Sequence, residues 1–259
     1  MKIYFVHSPH YEDILRTENV KIIISYARRH IREGLNPDIP EGFSEIMVDS
    51  GGFQLQKGTG DRSVYLKAYS LWMELLLRQH PEIVAYMNLD IWRNGEETLS
   101  NQLYLESEGL NPIPIWHAGT DIHFLDYYYN NYEYIAIGGI ASLHGRDKIQ
   151  KIVEWLYQTF PGRKYHFLGI GLSGIRAFGH FKPYSVDFST WNVPARYGHD
   201  IVDDRKQIIK EVRLSAELRQ QLRDDKTFEK GLLVETVKKI KELESKIESL
   251  NEPYQGALL

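Results

Sequence analysis

Short hydrophobic runs alternate with longer amphipathic segments along most of the chain. We predict eight β-strands, each rich in β-branched or aromatic residues, at residues 2–7, 20–26, 45–50, 83–90, 112–117, 134–139, 165–171 and 185–191. Between several of these strands, as at residues 63–80 and 147–160, apolar residues recur every three or four positions, which is the spacing of a helix. Strands that alternate with helices predict parallel pairing, because a chain that returns to the same end of a sheet needs a crossover.

The number of these units suggests how the sheet is arranged. Eight strand–helix units in 259 residues predict an α/β fold of the (β/α)8 TIM-barrel class, with an open doubly wound sheet as the alternative. The helices of the first two units, at residues 11–18 and 27–33, are short for such a barrel. We expect the barrel to form a catalytic domain over residues 1–200. Residues 201–259 would add C-terminal helices packed on the barrel, at 201–223 and 228–250.

Composition and charge narrow the class of protein. With 42% hydrophobic and 25% charged residues the chain is of ordinary globular type, and the absence of cysteine excludes disulfides and thiolate zinc sites. A net charge of −4 argues against nucleic-acid binding driven by overall charge alone. Local basic clusters remain as candidates for a groove, at Arg28, Arg29, His30 and Arg32 and in the stretch 205–213.

Hydrophobic segments of the length that a membrane requires are missing from the sequence. The N-terminus turns polar at His7, too early for a signal peptide, and no apolar run approaches the roughly 20 residues that span a bilayer. We therefore expect a cytoplasmic protein with no membrane partner.

Polar residues and glycines follow most of the predicted strands. Barrel enzymes build their active sites at the C-terminal ends of the strands, so these residues should meet at one rim. They are His7, Asp49 with Ser50, Asn88 with Asp90, His117, Gly138 with Gly139, Gly169 and Asp187. Glycines there would let backbone N–H groups approach a flat ligand. For Asp49 and Asp90, capping of the following helix is an alternative role.

The histidines of the chain show no metal-binding spacing within one element. His7, His10, His117 and His123 are scattered, without an HxH or HExxH pattern. We therefore predict no metal site and no cofactor.

Four motifs together resemble the tRNA-guanine transglycosylase family. The most specific is DSGGFQ at residues 49–54, which in that family lies at the end of a barrel strand. AIGGIA at 136–141 resembles the family's glycine-rich loop, FLGIG at 167–171 resembles its seventh strand, and SVDFSTW at 185–191 resembles the strand that carries its nucleophile. Their shared order over residues 45–198 makes a chance match improbable.

The chain also departs from the family's pattern. Members that act on tRNA carry a zinc site with three cysteines, which this chain lacks, and we expect no appended RNA-binding domain of the kind that archaeal relatives carry. His117 stands where a base-reading glutamine is expected. This compact form looks like the phage and genomic-island branch that places 7-deazaguanine derivatives in DNA. The resemblance thus implies a nucleic-acid partner, DNA rather than tRNA, together with guanine and a 7-deazaguanine base.

The resemblance implies a role for each site residue. Asp187 would be the nucleophile that captures the sugar, and Asp49 the general acid/base, which is the logic of a retaining glycosidase. Asp90 would accept hydrogen bonds from N1–H and from the exocyclic amine of guanine. The other expected substrate-binding residues are Ser50, Gly51, Phe53 (stacking on the purine), Gln54, His117, Gly138, Gly139, Leu168, Gly169 and Arg196 (on a flanking phosphate).

Several alternatives stay open at this point. Phe53 and Leu168 could be plain core residues. The scaffold could act as a hydrolase that excises a base, or as a non-catalytic subunit that binds a base or nucleic acid. The oligomeric state is also open, with a homodimer as one alternative.

Overall fold

A computed structural model describes residues 1–27, 39–55, 61–140, 146–171, 174–175, 181–188, 190–192, 199–203 and 209–249. Within these residues the fold is α/β, with strands β1 to β8 alternating with helices. The chain separates into two compact units. Unit 1 comprises residues 1–20, 141–161 and 169–259, and unit 2 comprises residues 21–140 and 162–168.

The elements are numbered here in chain order. The strands are β1 (Lys2–Val6), β2 (Lys21–Ser25), β3 (Ile46–Asp49), β4 (Ile83–Tyr86), β5 (Ile115–His117), β6 (Tyr134–Gly138), β7 (Lys164–Phe167), β8 (Ser185–Phe188), β9 (His199–Asp203) and β10 (Ile209–Arg213). The α-helices are α1 (Glu12–Thr17), α2 (Gly52–Leu55), α3 (Arg62–Gln79), α4 (Gly95–Ser107), α5 (Ile122–Asn131), α6 (Arg146–Thr159), α7 (Ala216–Asp224) and α8 (Lys226–Ser249).

In unit 2 the strands form two parallel groups. β3 lies between β2 and β4, and β6 lies between β5 and β7. A parallel bridge between Met87 and Ile113, just outside the strands, links the β4 end of one group to the β5 end of the other. Most residues of these strands are buried and hydrophobic, as Met47 and Ile135 are, although Val84 in β4 is exposed. Strands buried on both faces are typical of parallel sheets covered by helices.

In unit 1, β1 pairs in parallel with β8, with Ile3 opposite Val186. The long helix α8 packs against β1 and α1, and buries Leu233, Val237 and Ile240 on one face. The backbone N–H of Ile3 donates to the Glu244 carboxylate at 2.9 Å, which ties the edge of β1 to α8. The C-terminal helix is thus an integral part of unit 1.

The structure confirms the α/β class and all eight predicted strands, each somewhat shorter than its hydrophobic run. The helices predicted at 11–18, 63–80, 147–160 and 228–250 are also present, within a few residues. The helix predicted at 27–33 lies almost entirely outside the described residues. None of the helices among the described residues is long and apolar enough to cross a bilayer.

The helix predicted at residues 201–223 is wrong for most of its length. β9 and β10 pair there as antiparallel strands, with Asp203 opposite Ile209, and only α7 is helical. β-branched residues concentrate in the two strands, as in Ile201 and Val202, and such residues favour a pleated backbone. The charged residues between them had suggested a solvated helix face instead.

Candidate functional site

A glycine with a positive φ and a hydrogen bond from a buried tyrosine shape the turn after β3. Asp49 is the last residue of β3, opposite Ser25 of β2. Gly51 follows with φ of +81°, and a Cβ at this position would lie 2.3 Å from the Cβ of Ala27. The Tyr65 hydroxyl of α3 donates to the Ser50 carbonyl at 2.6 Å. The DSGGFQ segment is therefore fixed in one sharp turn, since a side chain at Gly51 has no room.

The charge of the Asp49 carboxylate affects the pKa values of two buried tyrosines, Tyr65 and Tyr69. Burial raises the pKa of Tyr65 and of Tyr69 far above the ordinary range, and the nearby Asp49 carboxylate raises both pKa values further. Both phenols therefore stay protonated and act as donors, Tyr69 to the Met87 carbonyl at 2.7 Å. These two hydrogen bonds hold the turn after β3 and the segment after β4.

Phe53 and Gln54 lie in the short helix α2, directly after the turn. Phe53 is 61% exposed, which rules out plain core packing and leaves its ring accessible to a ligand. The Oε1 atom of Gln54 and the Oγ atom of Ser50 are buried, and neither hydrogen-bonds to a described residue. Buried polar atoms of this kind are rare in native proteins and are often satisfied by a ligand or water.

Asp90 lies in a closely packed region of unit 2. We define the Asp90 cluster as Gly52, Asp90, His117 and Gly138, which follow or end β3, β4, β5 and β6. A Cβ on Gly52 would lie 2.3 Å from the Asp90 carbonyl oxygen and 2.4 Å from its Oδ1 atom. The His117 Nε2 atom lies 2.8 Å from Asp90 Oδ2. A Cβ on Gly138 would lie 2.5 Å from His117 Cδ2. The structure thus brings the rim residues of four strands into contact.

The segment that carries Asp90 is not part of a strand, and α4 holds it in place. Asn88 Nδ2 donates to the Thr98 carbonyl at 2.8 Å, and Asn101 Nδ2 donates to the Leu89 carbonyl at 2.9 Å. The Ile91 N–H donates to the Thr98 hydroxyl at 2.9 Å. Three hydrogen bonds within four residues leave the Asp90 backbone little freedom, so its carboxylate is preorganised.

Trp92 and Arg93 border the cluster, and sequence reasoning missed both. The Trp92 ring meets the His117 ring edge-on, with centroids 5.1 Å apart, and the Arg93 guanidinium lies 5.5 Å from the Trp92 centroid. Arg93 has φ of 56°, an unusual conformation for a residue with a side chain. The only signal for this border in the sequence was that Trp92 follows Asp90, the end of a predicted strand, by two positions.

The remaining glycine-rich positions of unit 2 also lie at the cluster. Gly139 has φ of +81°, and a Cβ there would approach Trp92 Cζ3 and the Ala118 backbone to 3.3 Å. Leu168, which donates its N–H to the Ile137 carbonyl, would lie 3.5 Å from a Cβ on Gly138. Leu168 therefore lies beside the cluster, as expected of a residue that covers a ligand there.

Asp187 belongs to unit 1, within β8 opposite Tyr4 of β1. Its side chain is 7% exposed, and its Oδ1 atom accepts the backbone N–H of Gly169 at 2.6 Å. Gly169 adopts φ of +66°, a conformation that favours glycine. The hydrogen bond fixes one oxygen of the carboxylate. That Asp187 meets Asp49 of unit 2 over one sugar carbon stays a prediction.

Other predicted residues lie outside the described part of the chain. These are Arg196, the basic residues Arg28, Arg29, His30 and Arg32, and residues 205–208 of the basic stretch. In the part that the structure describes, no three His, Asp or Glu side chains group in a way that could hold a metal ion.

Comparisons with known proteins add no relative. No protein-family model matches the chain, and no curated protein matches it significantly. What the protein does is therefore inferred from its side chains and turns.

Proposed function

We propose that this protein exchanges guanine in nucleic acid for a 7-deazaguanine base, through a covalent ester between Asp187 and the sugar. The observation that carries the proposal is the Asp90 cluster, in which a partly buried carboxylate lies against the turn of the DSGGFQ motif. A carboxylate accepts hydrogen bonds, and guanine offers two adjacent donors, N1–H and the exocyclic amine, where adenine does not.

The proposed scaffold is a closed (β/α)8 TIM barrel. The parallel pairs β1 with β8, β2 to β4, and β5 to β7 support it, as does the bridge between Met87 and Ile113 that joins β4 to β5. In such a barrel the strand ends that carry Asp49, Asp90, His117 and Asp187 face one cavity.

A purine would bind between an exposed ring and an aliphatic side chain. Phe53 offers the accessible ring, and Leu168 lies beside Gly138 on the other side of the Asp90 cluster. The unpaired Ser50 Oγ and Gln54 Oε1 atoms would supply further hydrogen bonds to the ligand. Because the target base must leave its stack to enter this slot, single-stranded or looped substrate would cost the least free energy.

The exchange would proceed in two displacements. With Oδ1 held by the Gly169 N–H, the other oxygen of Asp187 attacks C1′ as the C1′–N bond breaks, and Asp49 gives a proton to the departing guanine. Asp49 then takes a proton from the incoming 7-deazaguanine, whose nitrogen attacks C1′ and breaks the ester. Each displacement inverts C1′, so the incoming base bonds on the face from which guanine departed and the configuration is retained overall.

DNA is the favoured substrate over tRNA, because the cysteines of the tRNA-type zinc site are missing. A cytoplasmic site of action fits this substrate. Arg196 would contact a phosphate beside the flipped base.

The test is an exchange assay with labelled guanine on DNA and, separately, on tRNA. Label should enter or leave the nucleic acid with the wild-type protein. Asp187→Ala should abolish exchange, by a factor of about 10³ or more, because the nucleophile is gone, while guanine binding should remain measurable. Glu235→Ala, an exposed carboxylate on α8, is the matched control and should exchange normally.

Other outcomes would assign other functions. Release of free guanine without entry of a 7-deazaguanine would make the protein a base-excising hydrolase. Binding of base or nucleic acid with no turnover would make it a binding subunit. Full exchange by Asp187→Ala would refute the proposed mechanism.

A further inference from the structure

His117 is engaged by a neighbouring side chain before any ligand enters. The ring is 4% exposed, and its Nε2 atom lies 2.8 Å from Oδ2 of Asp90, which is itself 13% exposed. An ionised carboxylate can only accept a hydrogen bond, so Nε2 carries the proton and donates it. Such hydrogen bonds to a charged group are stronger than neutral ones, and burial strengthens them further.

The ring of His117 is also wedged in place. Its Cδ2 atom would lie 2.5 Å from a Cβ on Gly138, so the ring packs directly on the glycine backbone. On another side the ring meets Trp92, with centroids 5.1 Å apart at an angle of 65°. With backbone, indole and carboxylate contacts, the imidazole has one orientation available.

Asp90 is held from the opposite side by the turn after β3. Gly52 approaches so closely that a Cβ there would lie 2.4 Å from Oδ1 and 2.3 Å from the Asp90 carbonyl. The carboxylate thus has one oxygen bonded to His117 and the other next to the Gly52 backbone. Rotation about the side-chain bonds of Asp90 would break its hydrogen bond to His117 and push its other oxygen against the Gly52 backbone.

We infer that His117 is a positioning residue that fixes the Asp90 carboxylate for the purine, and does not itself choose the base. This inference rests on the proposed function. A carboxylate held in advance binds its ligand without the entropic cost of ordering it, so removal of His117 should weaken purine binding through Asp90. The bond-making steps need neither residue, so kcat at saturating base should change little.

The experiment measures guanine binding by calorimetry, and KM for guanine and kcat in the exchange assay. His117→Phe keeps a ring in the same space and removes the donor, and should weaken guanine binding about 2- to 10-fold, as expected for the cost of ordering one side chain. KM for guanine should rise by a similar factor. His117→Gln restores a donor and should recover most of the lost affinity.

Two further variants separate positioning from direct contact. In an Asp90→Ala background, which leaves no acceptor for His117, His117→Phe should cause no additional loss, because His117 acts only through the carboxylate. His80→Gln is the matched control. His80 pairs with Glu82 at 3.0 Å in the same unit, but before β4 begins, and its variant should bind guanine like the wild type.

The outcomes distinguish the two proposals. If wild-type protein binds guanine and His117→Phe binds it equally well, the positioning role is refuted and the proposed function stands. If His117→Phe lowers affinity equally in the Asp90→Ala background, His117 contacts the base directly and the inference is also refuted. If the wild-type protein binds no guanine, the proposed function fails, and with it the positioning role.

Discussion

At the scale of single residues, the Asp90 cluster depends on two glycines, which have no side chain, as much as on Asp90 and His117. Gly52 and Gly138 make room for Asp90 and His117, and neither requires an unusual φ for that purpose. The sequence could place Asp90 and His117 at strand ends, since each follows a hydrophobic run. It could not reveal their hydrogen bond, because 27 residues separate them and no periodicity links residues across strands.

The clearance at Gly138 makes a prediction about stability. Gly138→Ala should lower the free energy of unfolding by about 1–3 kcal/mol, because the new Cβ would lie 2.5 Å from His117 Cδ2. In a His117→Ala background the same substitution should cost much less, since the next neighbour, Leu168 Cδ1, is at an ordinary 3.5 Å. Urea denaturation of the wild type, both single variants and the double variant measures this coupling.

A second glycine provides the control for that cycle. Gly231→Ala in α8 has no heavy atom within 4 Å of the new Cβ, so it should be neutral or slightly stabilising, as alanine favours helix. Strictly additive free energies for Gly138→Ala and His117→Ala would show that the two residues do not press on each other.

At the scale of secondary-structure elements, α8 is fastened to unit 1 by a buried carboxylate. Glu229 is 4% exposed, accepts the Tyr11 hydroxyl at 2.6 Å and pairs with Lys226 at 2.6 Å. Burial alone raises the pKa of the Glu229 carboxyl, but the hydrogen bonds from Lys226 and Tyr11 outweigh it and lower the pKa. Because the folded-state pKa is depressed, this contribution to stability is present above the unfolded-state pKa and is lost as the pH falls.

Removal of one of those hydrogen bonds should therefore have a pH-dependent cost. Tyr11→Phe should lower the free energy of unfolding by about 1.5–3 kcal/mol at pH 7, as is typical of hydrogen bonds to charged groups. The cost should shrink as the pH falls from the pKa of a free glutamate, about 4.3, through the lower pKa of folded Glu229, where its carboxylate becomes protonated. Urea denaturation at about pH 7 and about pH 3 measures both values.

Tyr104→Phe is the matched control, since the Tyr104 hydroxyl hydrogen-bonds to none of the described residues. It should have a small effect at either pH. An equal cost of Tyr11→Phe at both pH values would mean that packing of Tyr11 on Trp191, and not the Glu229 hydrogen bond, is what the variant disturbs.

Elements differed in how well the sequence predicted them. The eight parallel strands were predictable because strands buried on both faces are continuous β-branched and aromatic runs, as in Ile22 to Ile24. The hairpin of β9 and β10 was not predictable, because charged residues interrupt its hydrophobic residues and the same sequence fits a solvated helix. Helix and strand patterns of this length are hard to separate by periodicity alone.

At the scale of the whole molecule, the proposed chemistry draws on residues from both compact units. Asp187, held by the Gly169 N–H, belongs to unit 1, and Asp49 and the Asp90 cluster belong to unit 2. The proposed mechanism requires both carboxylates at one sugar carbon, and it therefore predicts that Asp49 and Asp187 contact the same substrate.

The most direct test of the account is the mass of the intact protein after incubation with guanine-containing DNA and no incoming base, quenched in acid. We predict a covalent protein–DNA species whose attachment maps, after digestion, to the peptide that contains Asp187, and which disappears in Asp187→Asn. Addition of a 7-deazaguanine base should discharge it. Exchange of labelled base that proceeds without such an adduct, or equally well in Asp187→Asn, would contradict the account.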